Sequence, residues 1–368
     1  MLSHAKRIVI KVGSSLITDE ADTPRVAWLA SLAADVAEAR QDGKEVIVVT
    51  SGAVALGRAP LGYGKRALEL EEKQAAAACG QITLFSLWGE ALAQKGLRPA
   101  QILLTADDSI NRQRYLNARN TLEVLLENTH VIPIINENDT VATAELRFGD
   151  NDRLAARVAQ MAGAELLILF SDIDGLYSAD PNSNPAAKFI DEVKEITSDI
   201  ERMAGGAKTA LSSGGMTTKL EAAKIAMGAG CHMIIARGHV DHPLKALKDG
   251  GKHTRFVAHG TPKSARKHWI AGSLHPAGNI TVDDGAAKAL ASGKSLLPAG
   301  VSAIEGRFER GDAVFIRDGK GHVIGKGLIA YNSTDAQKIL GKKSQDIEAI
   351  LGFKRRDVLI HRDDLALE

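Results

Sequence analysis

Lysines, hydroxyls, amides and carboxylates recur in this sequence just where a short apolar run has ended. Lys11-Val12-Gly13-Ser14-Ser15 follows Ile8-Val9-Ile10, and Thr50-Ser51-Gly52 follows the apolar residues of 45–49. Asn136-Glu137-Asn138-Asp139 and Ser171-Asp172 follow two more such runs, at 131–135 and 166–170. Gly149-Asp150-Asn151-Asp152 opens a helical pattern, and Ser213-Gly214-Gly215-Met216-Thr217-Thr218-Lys219 leads into another. In open α/β sheets, ligands bind beyond the carboxyl ends of the strands. Positive charge, backbone N–H donors and groups that hold an acceptor in line are the needs of phosphoryl transfer.

Each motif has a chemical reading and a plain one. A lysine closing a strand can set its ammonium against a transferring phosphoryl group, and Gly13 lets backbone N–H groups approach the oxygens. A strand-terminal lysine is also an ordinary solvated side chain. Small residues at 50–53 suit an anion such as a substrate carboxylate, and equally an N-cap. The amides and carboxylates of 136–139 and 149–152 can receive an ammonium and bridge both ends of an amino acid. Capping and turn formation explain one such cluster more easily than two. Asp152 can instead hold two lysines in position. The stretch 213–219 suits an anion-binding nest that feeds a helix N-terminus, or a Gly-rich turn.

Bringing these motifs together requires several strand ends side by side. Strands are expected at 8–10, 45–49, 101–104, 131–135, 166–170 and 232–236, with helices at 25–41, 68–95, 113–127, 152–161 and 219–227. The strands are short and apolar without alternation, so both faces are buried, as in a parallel sheet covered by helices on both sides. Residues 177–185 are a loop, and the glycine-rich 203–215 is a connector or a lid. Near residue 260 the texture changes. Residues 259–268 are polar and basic, and beyond Gly278 short strands alternate with turns, Asp318-Gly319 marking a hairpin. The expected division is a catalytic domain at 1–262, a small β-rich domain at 275–353 and a tail at 354–368.

Composition agrees with two domains: 368 residues, 45% hydrophobic and 4% aromatic, hence an aliphatic core. Lys+Arg 46 against Asp+Glu 45 leaves no global pull toward nucleic acid or membrane. Cys79 and Cys231 are not spaced as metal ligands and suit buried small hydrophobes in a reducing compartment. The first residues carry no signal-peptide pattern, and no apolar run approaches the ~18 residues of a membrane helix. A cytoplasmic protein is expected. Three look-alikes fail. Gly293-Lys294-Ser295 lacks the upstream glycine of a P-loop, His361-Arg362-Asp363 lacks the rest of a protein-kinase catalytic loop, and no G-x-G-x-x-G is present.

Taken in order, Ile10-Lys11-Val12-Gly13-Ser14, Ile135-Asn136-Glu137-Asn138-Asp139, Phe148-Gly149-Asp150-Asn151-Asp152, Gly175-Leu176-Tyr177-Ser178-Ala179-Asp180-Pro181, Gly214-Gly215-Met216-Thr217-Thr218-Lys219 and Trp269-Ile270-Ala271-Gly272 resemble the glutamate 5-kinase family of amino-acid kinases. The C-terminal segment resembles a PUA domain. The resemblance implies an α/β fold: an αβα sandwich on a mainly parallel eight-stranded sheet, plus a small β-rich domain. It implies transfer of the γ-phosphoryl of ATP, with Mg²⁺, to the side-chain carboxylate of L-glutamate, the first step of proline biosynthesis. Lys11 and Lys219 then neutralise the transferring group, and Asp152 organises both. Ser51, Asp139 and Asn151 bind glutamate. Lys11, Ser171, Asp172, Ser213, Gly214, Gly215, Met216, Thr217, Thr218 and Lys219 hold ATP. Asn136 and Asp150 are candidates for a pocket shared by glutamate and the feedback inhibitor L-proline. No protein ligand is assigned to the metal. The family also implies a homo-oligomer, and the PUA-like segment implies RNA as a partner, with Lys263, Arg266, Lys267 and His268 as a basic run that otherwise suits a solvated linker. Ser171 and Ser213 stand where threonine is usual, and 204–210 departs further from the family pattern. Relatives of this fold that phosphorylate N-acetylglutamate, aspartate or a nucleoside monophosphate are the neighbouring readings, and the PUA-like segment argues against them.

Overall fold

A computed structural model of the chain describes residues 1–142, 151–204, 215–273, 275–354 and 356–367. It separates into two compact units, Met1–Pro262 and Lys263–Glu368.

The strands of the first unit are β1 (Arg7–Val12), β2 (Glu45–Thr50), β3 (Arg98–Leu104), β4 (Val131–Glu137), β5 (Leu166–Ser171), the short β6 (Leu176–Tyr177), β7 (Phe189–Ile190) and β8 (Glu192–Val193), then β9 (His232–Arg237) and β10 (His253–Phe256). Eight of them form one sheet in the order β3-β4-β2-β1-β5-β9-β10-β8, and β6 pairs with β7 in a separate ribbon. Among the described residues, only the β9–β10 pairing in the large sheet is antiparallel. The central strands are buried on both faces, as their unbroken apolar runs require. The pleat divides them between two cores. Ile8, Ile10 and Val12 face Leu29, Leu32 and Trp88, while Val9 packs with Ile47, Val49, Leu154 and Val158 on the other side.

Helices α1 (Ser14–Ile17), α2 (Val26–Gln41), α3 (Ala53–Arg58) and α4 (Leu70–Ala93) cover the first face, joined by α10 (Pro243–Lys248). The second face carries α5 (Ala106–Ile110), α6 (Arg112–Glu127), α7 (Asn151–Ala162), α8 (Ser198–Ala204) and α9 (Met216–Gly228). The chain leaves β1 toward β2 on one side and returns from β4 to β5 on the other. The order therefore reverses at β1, and the crevice of a doubly wound sheet opens at its carboxyl end.

Element boundaries differ from the sequence reading in two informative places. β3 begins at Arg98 rather than near residue 101, because an edge strand tolerates exposed Arg98 and half-buried Pro99 that a central strand does not. α9 begins at Met216 rather than at Lys219, with Gly215 as N-cap, so Thr217, Thr218 and Lys219 lie in its first turn.

The second unit contains α11 (Pro262–Ser273), β11 (Gly278–Val282), α12 (Asp284–Ala291), β12 (Val301–Gly306), β13 (Ala313–Arg317), β14 (Val323–Leu328), α13 (Ser333–Ile339), α14 (Ile347–Leu351) and β15 (Leu365–Leu367). Its five-stranded sheet runs β12-β11-β13-β14-β15. Thus the last residues of the chain supply a strand of the sheet, paired with β14. The β13–β14 hairpin closes with the left-handed residue at Gly321 (φ 85°), not at Gly319, because the Asp318 carboxylate accepts from the backbone N–H groups of Lys320 and His322. The basic run at 263–268 is helical rather than a linker. Arg266 is turned inward to Asp364, and Ile270 packs on Ala313, Leu328 and Ala366. Among the described residues no helix is long and apolar enough to cross a membrane.

Candidate active site

The strand ends around β1 gather most of the polar motifs. Lys11 is the penultimate residue of β1, Ser51 directly follows β2, Asn136 and Glu137 end β4, and Ser171 ends β5. Two helix starts reach the same edge: Asn151 and Asp152 open α7, and Lys219 closes the first turn of α9.

Asp152 is fully buried, and two lysines meet on it. Lys11 Nζ lies 2.6 Å from Oδ1 and Lys219 Nζ 3.0 Å from Oδ2. Both lysines are themselves buried, 7% and 4% exposed. Thr218 Oγ1 lies 3.5 Å from the same carboxylate and donates to Gly215 O. Burial alone would raise the Asp152 pKa, but the ammonium groups of Lys11 and Lys219 outweigh it and hold the carboxyl below its ordinary value. The carboxylate therefore stays charged and fixes two cations at one point of the crevice.

A second cluster is built from amides. Asn151 Nδ2 donates to Thr50 O, Ser51 Oγ and Asn136 Oδ1, each at 2.9 Å. Asn136 Nδ2 donates to Gln81 Oε1 at 2.9 Å, and Asn136 Oδ1 also receives the backbone N–H of Glu137. Trp88, fully buried, donates from Nε1 to Thr50 Oγ1 at 3.2 Å and so anchors the end of β2. Gly52 makes the turn into α3 with φ 108°, and a Cβ there would sit 3.0 Å from Ile17. α3 then crosses α4 at two glycines. A Cβ on Gly57 would lie 1.8 Å from Ala76 O, and one on Gly80 1.8 Å from Ala53 O. That close approach is what brings Gln81 of α4 within reach of β4. Asp139 is half-buried in the turn after β4.

On the other side of β1, Ser171 Oγ donates to Asp172 Oδ1 at 2.7 Å. Burial works to raise the Asp172 pKa, yet the Ser171 hydroxyl, backbone N–H and the charge of Lys219 keep it lowered. The segment beyond it is pinned from β10 and its approach. Leu176 N–H donates to Thr254 Oγ1 at 2.7 Å, and Lys252 Nζ lies 3.1 Å from Asp174 and 4.3 Å from the Phe189 ring centroid. Gly215, Met216, Thr217 and Thr218 form the start of α9. Asp150, Ser213 and Gly214 lie outside the described residues, as does most of the 203–215 segment.

Among the described residues no group of three His, Cys, Asp or Glu side chains is placed to hold a metal ion. The fully buried carboxylate of Asp152 is already engaged by ammonium groups. Cys231 is buried and its thiol pKa is raised by desolvation, which suits an inert core residue.

The sequence reading did not single out Gln81, Trp88 or Lys252. Gln81 had one faint signal, an amide directly after a glycine inside the alanine-rich run of α4. Nothing in the spacing tied that helix position to β4.

The Amino acid kinase family matches over residues 6–237 and the PUA domain over 278–351. The glutamate 5-kinase of Paramagnetospirillum magneticum is 58% identical over 368 residues, covering 100% of this chain and 99% of its own. That of Rhodopseudomonas palustris strain BisB5 is 57% identical over 367 residues, covering 100% and 97%. Among solved structures, UMP kinase from Ureaplasma parvum aligns with TM-score 0.47 and 15% identity over 68% of this chain and 98% of its own.

Proposed function

Because this chain belongs to the amino acid kinase family and, within it, to the glutamate 5-kinases, we propose that it transfers the γ-phosphoryl group of ATP to the side-chain carboxylate of L-glutamate. The product is L-glutamyl 5-phosphate, and the step opens proline biosynthesis. The observation that carries the reading is the meeting of Lys11 and Lys219 on the buried Asp152 at the reversal point of the sheet.

A side-chain carboxylate is deprotonated near pH 7, so the acceptor needs no general base. The difficulty is bringing two anions together in line. Lys11 and Lys219 supply the charge that offsets their repulsion, and Asp152 holds both ammonium groups where the charge develops. Ser51, Asn151 and Asp139 hold the amino acid. Lys11, Ser171, Asp172 and the start of α9 from Gly215 to Lys219 hold ATP, with Ser213 and Gly214 just before them in the chain. Mg²⁺, carried on the phosphates, supplies further charge neutralisation. L-Proline competes at the amino-acid side, through Asn136 and Asp150, and the enzyme works as a homo-oligomer.

The test is ATP consumption with Mg²⁺ and L-glutamate, N-acetylglutamate, L-aspartate or UMP, with hydroxylamine present to trap an acyl phosphate. Glutamate-dependent hydroxamate, suppressed by L-proline, is expected. Turnover confined to another acceptor would overturn the substrate.

A second reading concerns the C-terminal unit, whose match to the PUA domain favours RNA as a partner. Lys263 and Lys267 of α11 are its cationic candidates, with His268 beside them, since Arg266 is taken up by Asp364. Retention of single-stranded RNA that weakens steeply with salt is the expected result, and affinity indifferent to salt would count against it.

A further inference from the structure

The amides of the site have a direction that backbone groups impose. Glu137 N–H can only donate, and it donates to Asn136 Oδ1. Asn136 must therefore turn its Nδ2 toward Gln81, and Gln81 must answer with Oε1. At the other end Thr50 O can only accept, so Asn151 turns its Nδ2 toward β2 and toward Asn136 Oδ1. The line Asn151–Asn136–Gln81 is thus polarised from end to end. Its remaining polar atoms are an acceptor at Asn151 Oδ1 and the amino group of Gln81, which donates to none of the described residues. Ser51 Oγ accepts from Asn151 and keeps its own proton to give. Gln81 is half-buried, so water reaches its amide N–H₂ and a ligand group can take that water's place.

An α-amino acid matches this pattern: its ammonium donates and its carboxylate accepts. The reacting side-chain carboxylate must lie toward Lys11 and Lys219, which meet on Asp152, the neighbour of Asn151 in the chain. Gln81 stands at the far end of the line from them. We propose that Gln81 binds the α-carboxylate of the acceptor amino acid through Nε2 and sets the enzyme's preference for a free α-carboxylate. The proposal rests on the function put forward above and adds to it a specificity residue from α4.

Gln81→Glu separates this role from a structural one. It keeps an oxygen for Asn136 Nδ2 and replaces the donor by an acceptor. Steady-state kinetics of the full chain would compare L-glutamate with its α-amide, which retains the side-chain carboxylate. Gln81→Glu is expected to raise KM for L-glutamate at least about tenfold. KM for ATP should stay within about twofold, and the preference for glutamate over the α-amide should collapse. Gln81→Met, which removes donor and acceptor alike, should also narrow that preference and serves if the first variant does not fold. An unchanged preference in either folded variant would overturn the role of Gln81 while leaving the kinase reading intact. A wild-type enzyme that ignores L-glutamate would overturn both.

Discussion

Asp152 has to remain an anion where no water reaches it, and the two lysines that keep it charged are the groups proposed to face the phosphoryl group. Lys11→Met should therefore lower kcat by about 10²–10³ while KM for glutamate moves by no more than about threefold, since the charge matters most as the phosphoryl transfers. Steady-state kinetics check this, and an unchanged kcat would remove Lys11 from the chemistry. Asp152→Asn leaves two buried ammonium groups facing each other. It should abolish most activity and cost about 3–5 kcal/mol of stability at pH 7. The pH dependence has a definite sign. A carboxyl whose pKa is lowered by folding stabilises in full above the ordinary aspartate value of about 3.9 and loses that contribution as pH falls through its own lower value. Urea titrations of wild type and Asp152→Asn at neutral and acid pH should show the gap between them closing on the acid side.

At the scale of elements, the α3–α4 crossing decides where both Ser51 and Gln81 stand. Either glycine at the contact, given a methyl group, meets a backbone carbonyl at less than van der Waals distance. Gly80→Ala should cost about 2 kcal/mol or more. It should also raise KM for glutamate with KM for ATP little changed, because Ser171 and α9 lie on other elements. Denaturation midpoints and the two KM values read this directly. In the sequence, Gly80 reads only as a weak spot in a helix, since propensity says nothing of which chain will press against it. Likewise, the start of α9 at Met216 is hidden in the sequence because Thr217 and Thr218 are weak helix formers and Gly215 precedes them.

For the whole molecule, the two units differ in how they are held together. The first rests on aliphatic layers above and below a parallel sheet. The second is smaller and, like the first, carries a buried charge cluster, here one with no part in the proposed chemistry. Asp364, with a side chain 6% exposed, pairs with Arg266 and with Arg356 at 3.5 Å. Arg266→Met should destabilise the unit by about 3 kcal/mol, seen in calorimetry as a transition at lower temperature. An unshifted transition would mean that Arg356 alone satisfies Asp364. The balanced net charge of +1 also means that any affinity for RNA must come from a local surface.

The fold class was legible in the chain because burial leaves its mark residue by residue. Unbroken apolar runs such as 46–49 and 166–170 belong to strands covered on both faces, and their alternation with helices implies a parallel sheet. The kinds of residue at the strand ends were equally legible, since phosphoryl transfer draws on a short list of side chains. What the linear chain does not contain is distance. Lys11, Asp152 and Lys219 are far apart in sequence and meet only because β1 lies between β2 and β5 while α7 and α9 start at the same edge. The direction of the amide line, and with it the place of Gln81, depends on a backbone N–H at Glu137 and a backbone carbonyl at Thr50. Every residue carries such groups, so no residue type announces them, and only the folded backbone decides which side chain each one meets.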